Sequence, residues 1–489
     1  MRRAMLVIQG MGPQESGPDA YPRLYDHPYF GQLFIAGFLG LVGYPDSLNP
    51  GTDVNSIQAL HLAPRLLIGI VAIFDTFLIF KIAERRYNMT IALTAAIIFA
   101  IMPSTWIFRR VYLDTILLPF LLSSIFLALY LRKPDEKNID VLQVFRSKFK
   151  ISKNVLVFIS GIFMGLAIYT KIPAFTFIPL IGTLVFFNSR KSLKAVGIWI
   201  IPIIILPMMW PLYSIVVNQS DMWLYWALWQ TDRGARPISA SLINILYIDP
   251  LISILGVAGL VLAALRKDFF VLLWMLPILT LSYAIGWVQY FHLAPILPAL
   301  CISSAIFIDY IRKIITKYSN VLSYTPIVFV VIFGFVSTAM LITLDVNSAY
   351  YKIYSTIAQK ISNSDNADSK ITLIGSHWWV WDSYWITNYV LNESHALIDP
   401  HLDPKFNTKI STDKVLFIGD PIFVDSLSRR LNSDNLKQIR QLYNESKVIA
   451  SFTDNVTNHT TANYPYNTLP MMIWNENHPT GKVLIKSNY

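Results

Sequence analysis

Polar, ionisable side chains recur in five short segments of the 489-residue chain, each beside an apolar run. They are Asp26 and His27 in YDHPYF, Arg109, Arg110 and Asp114 in RRVYLD, and Lys171 in GLAIYTKIP. Asp232, Arg233 and Arg236 follow, and then Gln289 and His292 in WVQYFHLAP. A charge at mid-helix in a bilayer costs about 2.5–3.5 kcal/mol on insertion scales, so such groups invite a functional reading. Each also has an ordinary one. Arg109 and Arg110 can snorkel to the interface, Lys171 can cap a hairpin, His292 can be a helix-end histidine, and Asp26 can cap a helix starting near Pro28. Pro28 disfavours helical backbone at His27, and a carboxylate beside an imidazole there can ligate a divalent metal. Asp75 lies deep in an apolar run and reads as a pairing residue inside a bundle.

The elements that must carry these residues are helices. The chain is 54% hydrophobic and 14% charged, against about 25% charged residues in soluble domains. A membrane span needs roughly 20 apolar residues, and about ten such stretches fall near 64–80, 91–108, 113–131, 154–170, 173–188, 195–217, 249–265, 269–286, 290–310 and 322–344. The net charge of +10 is topological rather than a nucleic-acid footprint. Lys and Arg crowd alternate loops at 81–86, 132–153, 190–194, 266–267 and 312–317, which the positive-inside rule assigns to the cytoplasm. The intervening loops hold the five segments above, so acids and bases from all five map to one external face. Together they make a cationic pocket suited to an anionic headgroup whose apolar tail stays in the bilayer.

Three regions follow: 1–63, an external loop with a short interfacial helix in 29–44; 64–344, the transmembrane domain; and 345–489, an extracytoplasmic tail. In the tail, ITLIGS (371–376), KVLFIGD (414–420) and VLIKS read as strands around a helix over 422–443, a small α/β domain. Neither of the first two strands leads into a GxGxxG, so no nucleotide cofactor is expected. Cys301, the single cysteine, forms no intramolecular disulfide. The stretch VLQVFRSKFK reads either as a basic surface helix or as a solvated loop.

At these residues the sequence resembles the GT-C superfamily of membrane glycosyltransferases, in the branch of protein O-mannosyltransferases and aminoarabinose transferases. YDHPYFGQLFIAGFLGLVGYP resembles the family's first external loop, RRVYLDTILLPFLL its Arg-x-x-x-Leu-Asp helix start, and GLAIYTKIPAFTFIPL its Thr-Lys-x-Pro hairpin. The resemblance implies an all-α membrane domain and a polyprenyl-phosphate sugar as donor. It implies an acceptor hydroxyl on a protein or glycan outside the cytoplasm of a cell-membrane, multi-pass enzyme. It gives catalytic roles to Asp26, His27 and Asp114, and makes Arg109, Arg110, Lys171 and Arg236 clamps for the donor phosphate. Asp26, His27 and Asp232 become candidate ligands of a divalent metal. Family members begin with a further helix and an Asp-Glu pair carrying the base. Here Arg2–Gly10 resembles the segment just after that pair, which places the base upstream of Met1. Two other readings stand beside this one: an oligosaccharyltransferase-like subunit, from SHWWVWDSYWI (376–386), and a truncated non-catalytic homologue.

Overall fold

The computed structural model describes residues 1–14, 25–131, 152–230, 238–286, 288, 290–343, 348–363, 371–376, 379–380, 383–393, 395–398, 414–420, 423–425, 427, 434–457 and 480–489. The stretch VLQVFRSKFK and the residues Asp232, Arg233, Arg236 and Gln289 lie outside the described residues. The first helices are α1 (Arg2–Ile8), α2 (Phe30–Leu41), α3 (Val54–Arg86), α4 (Met89–Ile101), α5 (Pro103–Phe108), α6 (Leu113–Tyr130) and α7 (Lys153–Thr170). A 3-10 turn at Ile172–Phe177 leads to α8 (Ile178–Asn188), α9 (Leu193–Val216), α10 (Ser220–Trp229), α11 (Ile238–Ile248), α12 (Pro250–Leu265) and α13 (Phe269–Ile285). After a second turn at Tyr290–Ile296 come α14 (Leu297–Thr316), α15 (Thr325–Thr343) and α16 (Ser348–Ser362).

All ten apolar stretches are helical, but they are not ten straight spans. Among the described residues six helices have the length and apolarity to cross a bilayer. A seventh crossing is available if the pair α11 and α12, bent by 117°, counts as one. Three more stretches are shorter apolar helices at Met89–Ile101, Ile172–Asn188 and Phe269–Ile285. The stretch 91–108 is cut because Met102 precedes Pro103 and takes extended backbone (ψ 143°). Turns begin with side-chain caps that accept backbone N–H groups: Asp53 for α3, Asn88 for α4, Ser152 for α7, Ser192 for α9, Asp249 for α12 and Asp268 for α13.

The basic ends of the helices gather at one end of the bundle. Arg86 (2.9 Å) and the Tyr87 hydroxyl (2.7 Å) both donate to Asp268, tying the α3–α4 turn to the α12–α13 turn. Arg85 lies over the Tyr130 ring at the end of α6, and Lys153 donates to the Asn188 carbonyl at the end of α8. Gly161 of α7 and Gly259 of α12 allow the closest approaches. A Cβ at either would run into the backbone carbonyl of Trp199 or of Ser303.

At 1.5 Å per residue α3 is about 50 Å long, well beyond a ~30 Å hydrocarbon core. Its first turns therefore overhang the bundle, and Ile57, Leu60 and His61 bury there against the tail. The His61 ring packs 5.4 Å from Tyr351 and 5.5 Å from Trp385. The tail is α/β. Strands β1 (Ile371–Gly375), β2 (His395–Ile398), β3 (Val415–Gly419), β4 (Lys447–Thr457) and β5 (Thr480–Ser487) form one sheet in the order β2-β1-β3-β5-β4. The first three are parallel, while β5 runs antiparallel to both β3 and β4. A helix α17 (Asp434–Glu445) occupies the end of the region read as helical from 422. Side chains of α1, α2, the overhang of α3, α16 and the sheet share one core, so the N-terminal segment and the tail pack together at the end opposite the basic turns.

Candidate active site

Three polar groups lie at or below the end of the bundle where α1 and α2 sit. The first is held by the loop before α2. The Asp26 carboxylate accepts an ion-paired hydrogen bond from the Arg3 guanidinium of α1. His27 Nε2 stands 3.9 Å from the other carboxylate oxygen, and the Gln230 amide donates to the Asp26 carbonyl at 2.9 Å. Helix α2 begins at Phe30 after Tyr29, with no side-chain cap, so Asp26 does not cap it. Burial works against the charge on Asp26, but Arg3 and then His27 outweigh it and hold the carboxyl well below the usual carboxylate range. A carboxylate so stabilised is a weak proton acceptor. Asp26 is thus built as a charge partner rather than as a general base.

The second group is a buried ion pair between two helix ends. Asp114 lies in the first turn of α6, and Lys171 is the extended residue that ends α7 (φ −156°, ψ 122°). Lys171 Nζ donates to both oxygens of Asp114, at 2.8 and 2.6 Å, and the two side chains are 8% and 6% exposed. The Phe291 ring lies 5.8 Å from Nζ and stacks on Tyr112 at 5.3 Å, bringing the Tyr290–Ile296 turn and His292 to this place. The first two groups adjoin through Gly31 of α2. A Cβ there would meet Leu113 at 2.5 Å and Thr170 at 3.0 Å, the residues just before Asp114 and Lys171.

The third group centres on Arg109, which turns inward to the C-terminal end of α4. Its guanidinium donates to the carbonyls of Phe99 (2.7 Å) and Ala100 (3.1 Å), completing the C-terminal end of the broken α4. It shares a cavity of about 20 Å³ with Asp75, Thr105 and Asp114, room for about one water. Asp75 is buried on this cavity, and its Oδ1 has no hydrogen-bond partner among the described residues. Arg110, by contrast, is half-buried and has no ion-pair partner among the described residues. The reason is the chain break itself: the last carbonyls of α4 demand a donor, and Arg109 is the first cation after the break.

The described residues do not fit a divalent metal. One oxygen of Asp26 holds Arg3, and no group of three His, Cys, Asp or Glu side chains gathers among them. Asp232 and Arg236 lie outside the described residues. Sequence reasoning missed Arg3, Gln230 and an aromatic cluster of Tyr25, Tyr29, Tyr169 and Trp210 beside Asp26. Only the density of aromatic residues in 210–229 hinted at the last.

The polytopic helical bundle carries these polar groups toward one end, and a small α/β domain packs over that end. The family model described as dolichyl-phosphate-mannose-protein mannosyltransferase matches residues 23–227, the stretch that holds both ion pairs apart from Arg3. ArnT from Cupriavidus metallidurans in the apo state has the same architecture: TM-score 0.53 at 11% identity, covering 100% of this chain and 93% of that one. ArnT bound to undecaprenyl phosphate gives 0.51 at 13% identity over the same shares. The Archaeoglobus fulgidus oligosaccharyltransferase tethered to an acceptor peptide gives 0.51 at 12% identity, covering 82% of this chain and 59% of that one. The chain therefore spans about three fifths of the length of that oligosaccharyltransferase. No curated protein sequence matches.

Proposed function

We propose that this protein is a membrane glycosyltransferase that moves a sugar from a polyprenyl-phosphate donor to an acceptor hydroxyl on the extracytoplasmic face. The observation that carries the reading is the buried Lys171–Asp114 pair beside Asp26–His27, cationic groups at helix ends where a lipid headgroup would sit. The polyprenyl phosphate held by the ArnT structure supports the donor class. The crowding of Arg and Lys at the opposite end supports an extracytoplasmic position for the site and the tail. The three regions 1–63, 64–344 and 345–489 divide accordingly into loop, membrane and extracytoplasmic parts.

In an inverting displacement the acceptor oxygen bonds to the sugar C1 and its proton passes to a basic oxygen, of a carboxylate or of the departing phosphate. The C1–O bond to phosphate breaks, and polyprenyl phosphate leaves with both electrons. Charge grows on the phosphate, so preorganised cations lower the barrier. In this reading Lys171, Arg110 and, when protonated, His27 serve as those cations, and Asp114 fixes Lys171 by engaging it with both oxygens. Asp26 and Asp114 each hold a cation, Arg3 and Lys171, and in this reading act as the charge partners that position them. The oligosaccharyltransferase reading is less well supported. Trp379, Val380, Ser383, Tyr384 and Trp385 of its motif are buried in the tail rather than offered to a peptide. The decisive assay gives the purified protein in lipid a choice of labelled polyprenyl-phosphate sugars and nucleotide sugars. Transfer from the lipid-linked donor supports the proposal, and preferential use of the nucleotide sugar contradicts it. No transfer from either, by a folded protein, returns the non-catalytic reading.

A further inference from the structure

The aromatic cluster beside Asp26 holds more hydrogen-bond donors than acceptors among the described residues. Tyr25 and Tyr29 pack at 6.0 Å, Tyr29 and Tyr213 meet edge-on at 5.4 Å, and Trp210 meets Trp223 edge-on at 5.5 Å. Tyr25 and Tyr213 are satisfied, donating to Gln219 and Gln14. Four other groups are buried without a partner among the described residues: the Tyr29 hydroxyl, Trp210 Nε1, Trp223 Nε1 and Arg3 Nη1, of which the last three can only donate. Arg3 is itself only 11% exposed, and its second nitrogen is fixed on Asp26. A buried donor left unmade costs roughly 1–3 kcal/mol, and more when charged. Three such donor-only groups in one neighbourhood, unmet among the described residues, point to a partner that brings acceptors. Trp199 Nε1 is also without an acceptor, but it stands apart in the bundle core, against Gly182.

We propose that Arg3, Trp210 and Trp223 form a donor-only cradle for an oxygen-rich anionic headgroup, with Asp26 serving to aim Arg3 into it. The chemistry follows from the inventory. Indole and guanidinium donate and never accept, so the partner must supply acceptors on several sides, as a phosphate with an attached pyranose does. Arg also matches phosphate geometry better than Lys does. This inference rests on the donor class proposed above and adds to it which residues read the headgroup. It makes Arg3 a binding residue and Asp26 the group that positions it.

The test is equilibrium binding of undecaprenyl phosphate, undecaprenol and inorganic phosphate to the full chain in nanodiscs, with thermal unfolding in parallel. Arg3→Lys keeps the charge opposite Asp26 but loses the second nitrogen, and should weaken undecaprenyl phosphate about tenfold or more. Trp223→Phe keeps a ring but loses the orphaned N–H. It should weaken binding roughly fivefold without lowering the unfolding midpoint. Trp274→Phe is the contrast, because its N–H donates to the Pro295 carbonyl at 3.0 Å. It should lower the midpoint and leave binding unchanged. Wild-type affinity in both Arg3→Lys and Trp223→Phe, or losses that only track stability, would overturn the cradle while leaving the donor class standing. Failure of the wild type to bind undecaprenyl phosphate would overturn both. Arg3-dependent binding of inorganic phosphate with no preference for the lipid supports the cradle and contradicts the lipid-linked donor.

Discussion

Removing one partner of the Lys171–Asp114 pair separates a structural role from a chemical one. Asp114→Asn changes shape little but leaves the Lys171 ammonium, 8% exposed, facing a neutral amide. Both contacts are short, at 2.8 and 2.6 Å, and the site is closed on one side by Phe291. Breaking a buried pair from one side costs about 3–5 kcal/mol, whereas an exposed pair is worth about 0–1 kcal/mol. The internal control is Lys313, which pairs with Asp309 at 2.7 Å but is 63% exposed; Lys313→Ala should cost no more than about 1 kcal/mol. Replacing both partners with apolar residues, as Asp114→Leu with Lys171→Met, should restore most of the stability lost by either single change. The assay is unfolding, in one detergent, of Asp114→Asn, Lys313→Ala and the four proteins of this double-mutant cycle, with sugar transfer measured on each. Stability should return in the double variant while transfer stays absent. An Asp114→Asn protein within about 1 kcal/mol of wild type would refute the buried pair, and transfer by the double variant would refute its catalytic part.

Other consequences follow from single residues. Arg109→Gln should lower stability by about 1.5–3 kcal/mol, since a charged donor to two carbonyls is lost, and leave donor affinity intact. Arg110→Gln should do the reverse, and a swap of those outcomes in paired unfolding and binding experiments would reinstate Arg109 as a phosphate clamp. In the tail, burial pushes the His395 imidazole down from 6.5 to about 4. The folded state therefore favours the neutral ring, so stability is complete above pH 6.5 and falls as pH drops from there toward 4, by up to about 3 kcal/mol. Unfolding profiles of wild type and His395→Phe should diverge below pH 6.5, and parallel profiles would contradict this. For topology, Lys352→Cys should react with an impermeant thiol reagent added to intact cells and Lys194→Cys should not. Both positions are exposed while native Cys301 is buried, and the opposite pattern would invert the orientation.

How much of this was legible depended on which interactions are local. The helices follow from apolar runs longer than any soluble element needs, and the gathering of Asp114 and Lys171 at one end from charges at two helix ends on the same side, though not their pairing. What the sequence hid were breaks and long-range partners. Pro103 and Asp249 are visible as residues, yet the shortening of α4 and the 117° bend between α11 and α12 depend on what packs around them. Arg109 and Arg110 are neighbours in sequence, but only the unsatisfied carbonyls of Phe99 and Ala100 decide which turns inward. Arg3 meets Asp26 across 23 residues, and no periodicity announces such a contact. In the tail, β2 and β4 escaped notice because HALI is short and KVIASFTDNVT is interrupted by polar residues, whereas β1 and β3 are buried along their whole length.

The central claim is that a polyprenyl-phosphate headgroup sits at the end of the bundle formed by the α2 entry and the ends of α6, α7 and α10. Photo-crosslinking with a polyprenyl phosphate carrying its reactive group beside the phosphate, followed by peptide mapping, tests this directly. Labelling should fall on peptides containing Tyr25–Phe30, Tyr112–Asp114, Lys171 or Trp223, and excess unlabelled polyprenyl phosphate should abolish it. Competable labelling at the opposite end, on Arg85–Asn88 or Arg266–Asp268, would contradict the account.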